Sequence, residues 1–230
     1  DRVAWYDGPT LTGALDSFAP SASSQLQPLR FPIQDIYKFD DRRIVAGRIE
    51  SGTLSVGDPL LFSPSNKVAR IVSIETWNAP EALTTATAGS SVGITLDDDL
   101  FIERGDIASH EVDAPLETDV FRARIFWLGD KELALGATCR MKLTTLDVPV
   151  TVQEVSSIVD TETLAHSAGG GVGRHQVAEV VLRARRVLAL DEATEVPRTG
   201  RFALAQNHRI VGGGTISMGG YADQRRNITQ

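Results

Sequence analysis

The feature that most constrains this chain is the recurrence, from Leu29 onward, of short apolar runs separated by turn residues. Runs rich in Val, Ile, Leu and Phe alternate there with Gly, Asp and Pro, without a convincing helical pattern. The clearest unit is the run 44–50 followed by Ser51-Gly52, where glycine takes a positive φ at little cost. Strands this short at this spacing are typical of antiparallel barrels or sandwiches.

The period of two along a strand predicts which side chains share a face. Leu54 and Val56 are expected on one face of the strand after the first turn, and Val72 and Ile74 share a face farther along. Further strands in this half are predicted at 60–62, 68–76 and 91–96, with another beginning at 105–108.

Residues 112–116 mark a boundary, because Pro115 interrupts any strand ladder and a new alternating run follows at once. The odd-numbered residues 121–127 are predicted on one face of that run, and the even-numbered residues 122–126 on the other. Later strands are predicted at 139–143, 148–155, 177–188, 201–205 and 210–217. The expected fold class is therefore all-β, with two consecutive antiparallel (Greek-key) β-barrels preceded by a short N-terminal helix.

The predicted helix lies near the N-terminus. Pro9 suits its first turn, and an apolar stripe recurs at helical spacing through Leu11, Ala14, Leu15 and Phe18. Residues 19–28, rich in Ser, Gln and Pro, are predicted to be a linker. Trp5 and Tyr6 are large and apolar, and their packing partner is expected in a domain upstream.

The composition limits the possible functions. A net charge of −7 argues against a nucleic-acid surface, which is normally basic. The single cysteine, Cys139, cannot form an internal disulfide, and we interpret it as strand packing in a cytoplasmic protein. No apolar run approaches the ~20 residues of a membrane span, and no secretory signal is visible. Neither nucleic acid nor a membrane is expected as a partner.

No segment has the pattern of a nucleotide-phosphate site. The motif G-x-x-x-x-G-K-[ST] does not occur, and Asn66-Lys67 lacks the following aspartate that reads guanine in GTPases. The glycine-rich residues 169–173 precede a strand-like run, so we interpret them as a hairpin loop. The three glycines 212–214 indicate a bulge or a close backbone approach in a curved strand. We therefore predict no catalytic and no cofactor-binding residue in this chain.

Two groups of residues invite a metal-site interpretation. Asp97, Asp98 and Asp99 are consecutive, do not share a face and lack the spaced ligands of an EF-hand, which favours a solvated turn. The histidines have neither H-E-x-x-H spacing nor a nearby cysteine pair, so surface or loop positions are expected. These histidines are His110, His166, His175 and His208. No metal ligand is predicted.

The best basic cluster is formed by Arg183, Arg185 and Arg186. Val180 and Leu182 are expected to face inward, so Arg183 and Arg185 face outward. Three interpretations stay open at this stage: a solvated strand face, a surface for an acidic partner, and a nucleic-acid contact.

Several stretches resemble known families. LRFPIQDIY (29–37), VAGRIESG (45–52) and LSVGD (54–58) resemble the second domain of translational GTPases. The closing strands of the third domain in those proteins are similar to GRFAL (200–204) and RIVGGG (209–214). Three other stretches resemble the large, GTP-hydrolysing subunit of sulfate adenylyltransferase: WYDGPTL (5–11), FRARIFWLG (121–129) and HQVAEVVL (175–182).

The resemblance implies a domain organisation. Residues 1–28 are the helix and linker that leave a GTPase domain missing from the sequence, 29–114 the first β-barrel, 115–218 the second, and 219–230 a C-terminal tail. Within the tail, YADQRRNIT (221–229) resembles the segment that, in fused versions, leads into an adenylylsulfate kinase domain. The barrels are expected to be of the type of domains 2 and 3 in elongation factor Tu.

The resemblance also implies a function. The parent protein couples GTP hydrolysis to the formation of adenylylsulfate from ATP and sulfate, in sulfate assimilation. GTP and Mg belong to the missing domain, so this chain alone is expected to be inactive. The implied partners are the small catalytic subunit, the chain's own GTPase domain and, in fused versions, the kinase domain.

Two alternatives stay open beside that function. Elongation-factor-like barrels would hold aminoacyl-tRNA, and a self-standing barrel pair would bind a ligand or serve as a scaffold.

Overall fold

A short helix precedes two antiparallel barrels in the computed structural model, which describes residues 5–18, 24–39, 42–76 and 81–225. The helix α1 spans Leu11–Asp16, and the Thr10 side chain at its start accepts a hydrogen bond of 3.1 Å from the Gly13 amide. Single turns of 3-10 helix lie at Ser24–Leu26 and Glu111–Asp113. None of the described helices has the length and apolar character that crossing a bilayer requires. Residues 19–23 of the predicted linker and 226–230 of the predicted tail lie outside the described residues.

The first barrel is a closed sheet of six strands. Its half of the chain contains β1 (Phe31–Phe39), β2 (Arg42–Arg48), β3 (Thr53–Ser55), β4 (Pro59–Ser63), β5 (Lys67–Glu75), β6 (Thr85–Thr87), β7 (Ser91–Leu96) and β8 (Ile107–Ser109). The barrel runs in the order β1-β2-β7-β5-β4-β8 and closes as β8 pairs with β1. Strands β3 and β6 pair separately as a two-stranded ribbon. Neighbours that are distant in sequence give the sheet its Greek-key character.

The second barrel also closes through six strands. Its half of the chain contains β9 (Leu116–Trp127), β10 (Thr138–Leu143), β11 (Leu146–Asp160), β12 (His166–Ser167), β13 (Gln176–Leu190), β14 (Arg201–Gln206) and β15 (Arg209–Ser217). The order is β10-β14-β15-β9-β13-β11, and the pairing of β10 with β11 closes the ring. The short strand β12 lies outside that ring and pairs with the end of β11. The predicted all-β fold with two antiparallel barrels is therefore confirmed.

Each barrel is filled by its own apolar cluster. Phe31 and Phe62 are fully buried in the first, and Phe121 and Trp127 in the second. The Trp127 indole donates a hydrogen bond of 2.8 Å to the Lys131 carbonyl, so its polar group is satisfied inside the core. Along β9 the burial alternates as predicted, with the odd-numbered residues 121–127 inside and the even-numbered residues 122–126 outside.

Two face predictions in the first barrel were wrong. Leu54 is fully buried, whereas Val56 is 42% exposed, because β3 ends at Ser55 and Val56 lies beyond the ladder. Val72 is 55% exposed although Ile74 is buried. The pairing of β5 with β7 shifts register between Ile71 and Ser73, and such a bulge reverses the alternation.

Strand lengths also differ from the predictions. Strand β11 continues to Asp160, five residues past its predicted end, through register shifts that disturb the apolar alternation. The strands β6 and β12 were not predicted, because three and two residues carry too little periodicity.

Two glycines of β15, Gly212 and Gly214, lie where the backbone of β9 comes close, as predicted. A Cβ on Gly212 would lie 2.7 Å from the Phe126 carbonyl oxygen. At Gly214 a Cβ would lie 2.5 Å from the Arg124 carbonyl oxygen and 2.9 Å from the Phe202 ring. Real Cβ atoms do not approach backbone this closely, so only glycine fits at either position.

We expect Gly214→Ala to destabilise the second barrel by about 1–3 kcal/mol, because the added methyl group forces two packed strands apart. Gly219→Ala is the matched control, since a Cβ there has no neighbour within 4 Å. Urea unfolding followed by tryptophan fluorescence measures both variants. If Gly214→Ala and Gly219→Ala are equally stable, β9 and β15 do not approach each other closely at Gly214, and the prediction is wrong.

Candidate functional site

The three consecutive aspartates lie in the turn after β7, as predicted. Asp97 accepts a hydrogen bond of 2.7 Å from the Arg70 amide and so fixes the start of the turn. Asp98 and Asp99 are exposed and face a groove of the first barrel.

The histidines are dispersed. His110 precedes a 3-10 turn with Nε2 3.4 Å from the Asp58 carboxylate, and His175 stacks on Phe126 with ring centroids 6.4 Å apart. His166 and His208 are exposed. Across residues 5–18, 24–39, 42–76 and 81–225, no three His, Cys, Asp or Glu side chains converge in a metal-binding arrangement.

The glycine-rich residues 169–173 connect β12 to β13 as a loop, in agreement with the sequence interpretation. Cys139 is buried, and burial raises the pKa of its thiol. The thiol sulfur accepts a hydrogen bond of 3.3 Å from the Gln206 amide. Cys139 therefore packs inside the barrel, as interpreted from the sequence.

The arginine cluster divides between two roles. Arg183 and Arg185 point outward from β13, while Val180 and Leu182 point inward, as predicted. Arg183 lies 3.6 Å from the Asp119 carboxylate of the same barrel. Arg186 instead reaches Glu103 of the first barrel at 3.6 Å. One of the three arginines therefore contributes to the junction between the barrels.

A groove of about 520 Å³ opens on the first barrel between β2, β5, β7 and the turn after β7. Its apolar lining includes Val45, Leu96 and Ile102, while Arg42 and Arg43 lie at the end of the groove formed by β2. Arg42 pairs with Glu75 at 3.4 Å, and Ser73 donates a hydrogen bond of 2.8 Å to the same carboxylate. Because cationic and anionic groups both line it, the groove suits a polar ligand with an apolar part. Among the described residues that line the groove, none is a histidine or a cysteine.

A buried ion pair joins the two barrels. Arg30 immediately precedes β1, and Asp191 immediately follows β13, with side chains only 4% and 6% exposed. Nε of Arg30 lies 2.8 Å from Asp191 Oδ2, and Nη2 lies 2.7 Å from Oδ1, so the contact is bidentate. The Thr199 hydroxyl donates a hydrogen bond of 2.5 Å to the same carboxylate.

The other terminal nitrogen of Arg30, Nη1, also has two partners. Nη1 donates to the Leu29 and Asp113 carbonyl oxygens at 2.8 and 2.7 Å. A buried guanidinium satisfied in this way fixes direction as well as distance, because its donors are planar and rigid. The ion pair thus orients one barrel against the other.

The loop 103–106 of the first barrel makes a second contact with the second barrel. Arg104 donates a hydrogen bond of 3.2 Å to the Thr145 carbonyl, and Arg186 pairs with Glu103. Asp106, on this loop, is 6% exposed. Burial, reinforced by the nearby Glu103 and Glu117 carboxylates, raises the pKa of Asp106 from 3.8 to about 6, although the Glu103 amide and Arg186 oppose the shift.

The junction residues Arg30 and Asp191 were missed at the sequence level. Arg30 is a charge flanked by apolar residues on both sides, Leu29-Arg30-Phe31, whereas Asp191 follows Leu190 and precedes a second acid, Glu192. That isolation could have marked Arg30 as buried, but its pairing with Asp191 spans 161 residues and leaves no local pattern.

In comparisons with known proteins, this architecture is similar to the C-terminal barrel domains of translational GTPases. A family model described as GTP-eEF1A C-terminal domain-like matches residues 120–217. Elongation factor 1-alpha from Thermofilum pendens is 32% identical over 222 residues, covering 94% of this chain and 51% of that protein. Sulfate adenylyltransferase subunit 1 from Laribacter hongkongensis is 31% identical over 220 residues, covering 94% of this chain and 45% of that protein.

A crystal structure of sup35 complexed with GDP shares the fold. It superposes with a TM-score of 0.77 at 22% identity, covering 93% of this chain and 53% of the sup35 chain. The chain thus spans about half the length of the relatives it matches.

We expect Arg30→Ala to lower the free energy of unfolding by about 3–5 kcal/mol, because it leaves the Asp191 carboxylate buried without a counter-ion. Arg124→Ala is the matched control, since Arg124 pairs with Glu179 at 2.9 Å on the solvent-exposed face of β9. An exposed pair of this kind contributes about 1 kcal/mol or less. If urea unfolding shows similar losses of unfolding free energy in both variants, the buried ion pair contributes no more to stability than an exposed one, which would contradict the prediction.

The raised pKa of Asp106 predicts a pH dependence. The folded protein binds the Asp106 proton more tightly than the unfolded chain, so the associated stability is complete below about pH 4 and is lost as pH rises through about 6. Asp106→Asn should therefore be more stable than the parent chain at pH 7.5, by about 1–3 kcal/mol. The two should converge near pH 4.

The control for this pH series is Asp160→Asn. Amide and hydroxyl hydrogen bonds from Thr163 lower the pKa of Asp160, so this exposed group stabilises the fold above its unfolded pKa. Its replacement should bring no gain at pH 7.5. If Asp106→Asn and the parent chain unfold at the same temperature at pH 7.5, the ionised Asp106 carboxylate does not destabilise the fold, and the prediction is wrong.

Proposed function

The chain consists of C-terminal barrel domains of the translational-GTPase family, and from that premise we propose that it is the coupling body of the GTP-hydrolysing subunit of sulfate adenylyltransferase. In this role the two barrels transmit the state of a GTPase domain to the small catalytic subunit. That subunit forms adenylylsulfate from ATP and sulfate.

The observation that carries the proposal is the buried Arg30–Asp191 ion pair between the barrels. A body that transmits a displacement must keep its own shape, and a bidentate buried pair resists rotation of one barrel against the other. Coupling then requires that contacts at either end of this body differ between the two nucleotide states.

The exposed N-terminal segment supports an attachment to a GTPase domain. Trp5 is 81% exposed, and Leu11 and Phe18 are 78% and 76% exposed. An apolar stripe of this kind normally packs against another surface. We assign that surface to the chain's own GTPase domain.

GTP and Mg do not fit the residues of this chain. The sequence contains no phosphate-binding loop, and the described residues provide no carboxylate cluster that could hold a metal ion. We therefore assign both to the GTPase domain and give no residue of this chain a part in hydrolysis.

Charge favours sulfate activation over translation. The net charge is −7, and the groove of the first barrel has Glu75, Asp98 and Asp99 in its lining. These carboxylates repel a phosphate backbone, whereas tRNA binding depends on neutralising phosphates. The likeness of residues 121–129 to the sulfate adenylyltransferase subunit points in the same direction.

The second candidate is an elongation-factor-like role in which the first barrel holds the aminoacyl end of a tRNA. The groove favours it, because an apolar lining beside Arg42 and Arg43 suits a base and an adjacent phosphate. The similarity to elongation factor 1-alpha is as close as that to the sulfate adenylyltransferase subunit and supports it equally.

Binding of the chain to two immobilised partners distinguishes the candidates. We expect association with the small catalytic subunit of sulfate adenylyltransferase, weakly dependent on salt, and no retention of aminoacyl-tRNA. The same measurement is made with the full-length gene product, in which the GTPase domain can add its own contacts.

The variant Arg43→Glu distinguishes binding of the small subunit from binding of tRNA. It reverses a charge in the groove, so it should leave binding of the small subunit unchanged but abolish any binding of tRNA. Retention of aminoacyl-tRNA with a steep salt dependence, together with no binding of the small subunit, would overturn the coupling proposal and favour the second candidate.

A further inference from the structure

A buried acceptor site spans the junction between the barrels on the side of the C-terminal segment. Ser63 and Asn66 of the first barrel meet Pro115 and Glu117 at the start of the second. Ser63 is fully buried, and Asn66 and Glu117 are 3% and 1% exposed. A carboxylate this deeply buried requires a cation, since isolated buried charge is strongly unfavourable.

The cation is supplied by Arg225. Its Nη1 lies 3.0 Å from the Ser63 hydroxyl, 2.7 Å from Asn66 Oδ1 and 2.8 Å from Glu117 Oε1. Nη2 donates to the Pro115 carbonyl. Asn66 completes the arrangement by donating a hydrogen bond of 2.9 Å from Nδ2 to the other oxygen of Glu117. Among the described residues, Arg225 is the only cation paired with Glu117.

Residues 221–225 lie along the start of β9 rather than projecting into solvent. The Gln224 amide donates a hydrogen bond of 2.7 Å to the Glu117 carbonyl, and the Glu117 amide donates one of 3.0 Å to Asp223. The Gln224 side chain reaches Asp119 at 3.0 Å. The segment is therefore docked by backbone as well as by side chains.

We propose that residues 221–225 are a strap that locks the two barrels together, with the Arg225 guanidinium bound in a dedicated site formed by Ser63, Asn66, Pro115 and Glu117. The site takes guanidinium as a chemical class, because its acceptors surround two nitrogens: Ser63, Asn66 and Glu117 lie around Nη1, and the Pro115 carbonyl accepts from Nη2. An ammonium group has a single nitrogen and cannot occupy both positions. Half of these acceptors belong to each barrel, so occupancy fixes their relative position. Release of the strap leaves the buried Glu117 carboxylate without its counter-ion, which favours separation of the barrels.

Chemical rescue of Arg225→Ala tests the strap. The variant of the full chain should unfold about 5–10 °C below the parent chain, as expected for an uncompensated buried carboxylate. Ethylguanidinium chloride should restore at least half of that shift at about 10 mM, a concentration that fills a site with a dissociation constant in the millimolar range. Equal sodium chloride should not, because screening alone cannot replace a hydrogen-bonded cation.

Arg209→Ala is the matched control, since Arg209 is an exposed arginine of β15. Its midpoint should stay close to that of the parent chain and should not respond to ethylguanidinium. Arg225→Lys covers the case in which Arg225→Ala fails to fold, and its midpoint should lie measurably below that of the parent chain. The proposal is overturned if Arg225→Ala or Arg225→Lys unfolds at the parent temperature, or if ethylguanidinium leaves the Arg225→Ala midpoint unchanged.

Discussion

The ion pair between Arg30 and Asp191 joins the residue that precedes β1 to the residue that follows β13. Both charges are withdrawn from water, and desolvation costs several kcal/mol per ion unless geometry and additional hydrogen bonds offset it. Here a bidentate contact, the Thr199 hydroxyl and two backbone carbonyls provide that compensation. Because the compensation exists only in one arrangement of the barrels, the polar junction specifies their orientation in a way that apolar packing alone would not.

Closure of both sheets determines where function can reside. A closed barrel has no free edge strand, and its interior here is filled with apolar side chains. Binding is therefore left to the outer faces: the groove of the first barrel, the exposed N-terminal segment and the junction itself. This distribution is consistent with the proposed role of a body that holds its shape and contacts other domains.

Local sequence patterns anticipated much of the fold because closed barrels are built from regular alternation. The faces of β9, the turn at Asp97 and the close approach at Gly214 could each be predicted from a few neighbouring residues. The exposed Val72 could not, because a bulge depends on register with β7 rather than on its own strand.

The contacts between the barrels could not be predicted from local sequence, because their partners are far apart in the chain. Arg30 and Asp191 are 161 residues apart, and Arg225 lies 159 residues from Asn66. Their proximity follows from the closure of two barrels and from the path of the chain between them. A charge that interrupts an apolar run, as Arg30 does, indicates burial, but the local sequence does not show which residue pairs with it.

The relative tumbling of the two barrels tests the central claim most directly. Residual dipolar couplings of backbone amides, measured on the isotopically labelled chain in a dilute aligned medium, report the orientation of each barrel independently. A rigid junction predicts that one alignment tensor fits the amides of β1–β8 and β9–β15 together. Two tensors of clearly different magnitude would show that the barrels reorient separately and would contradict the account.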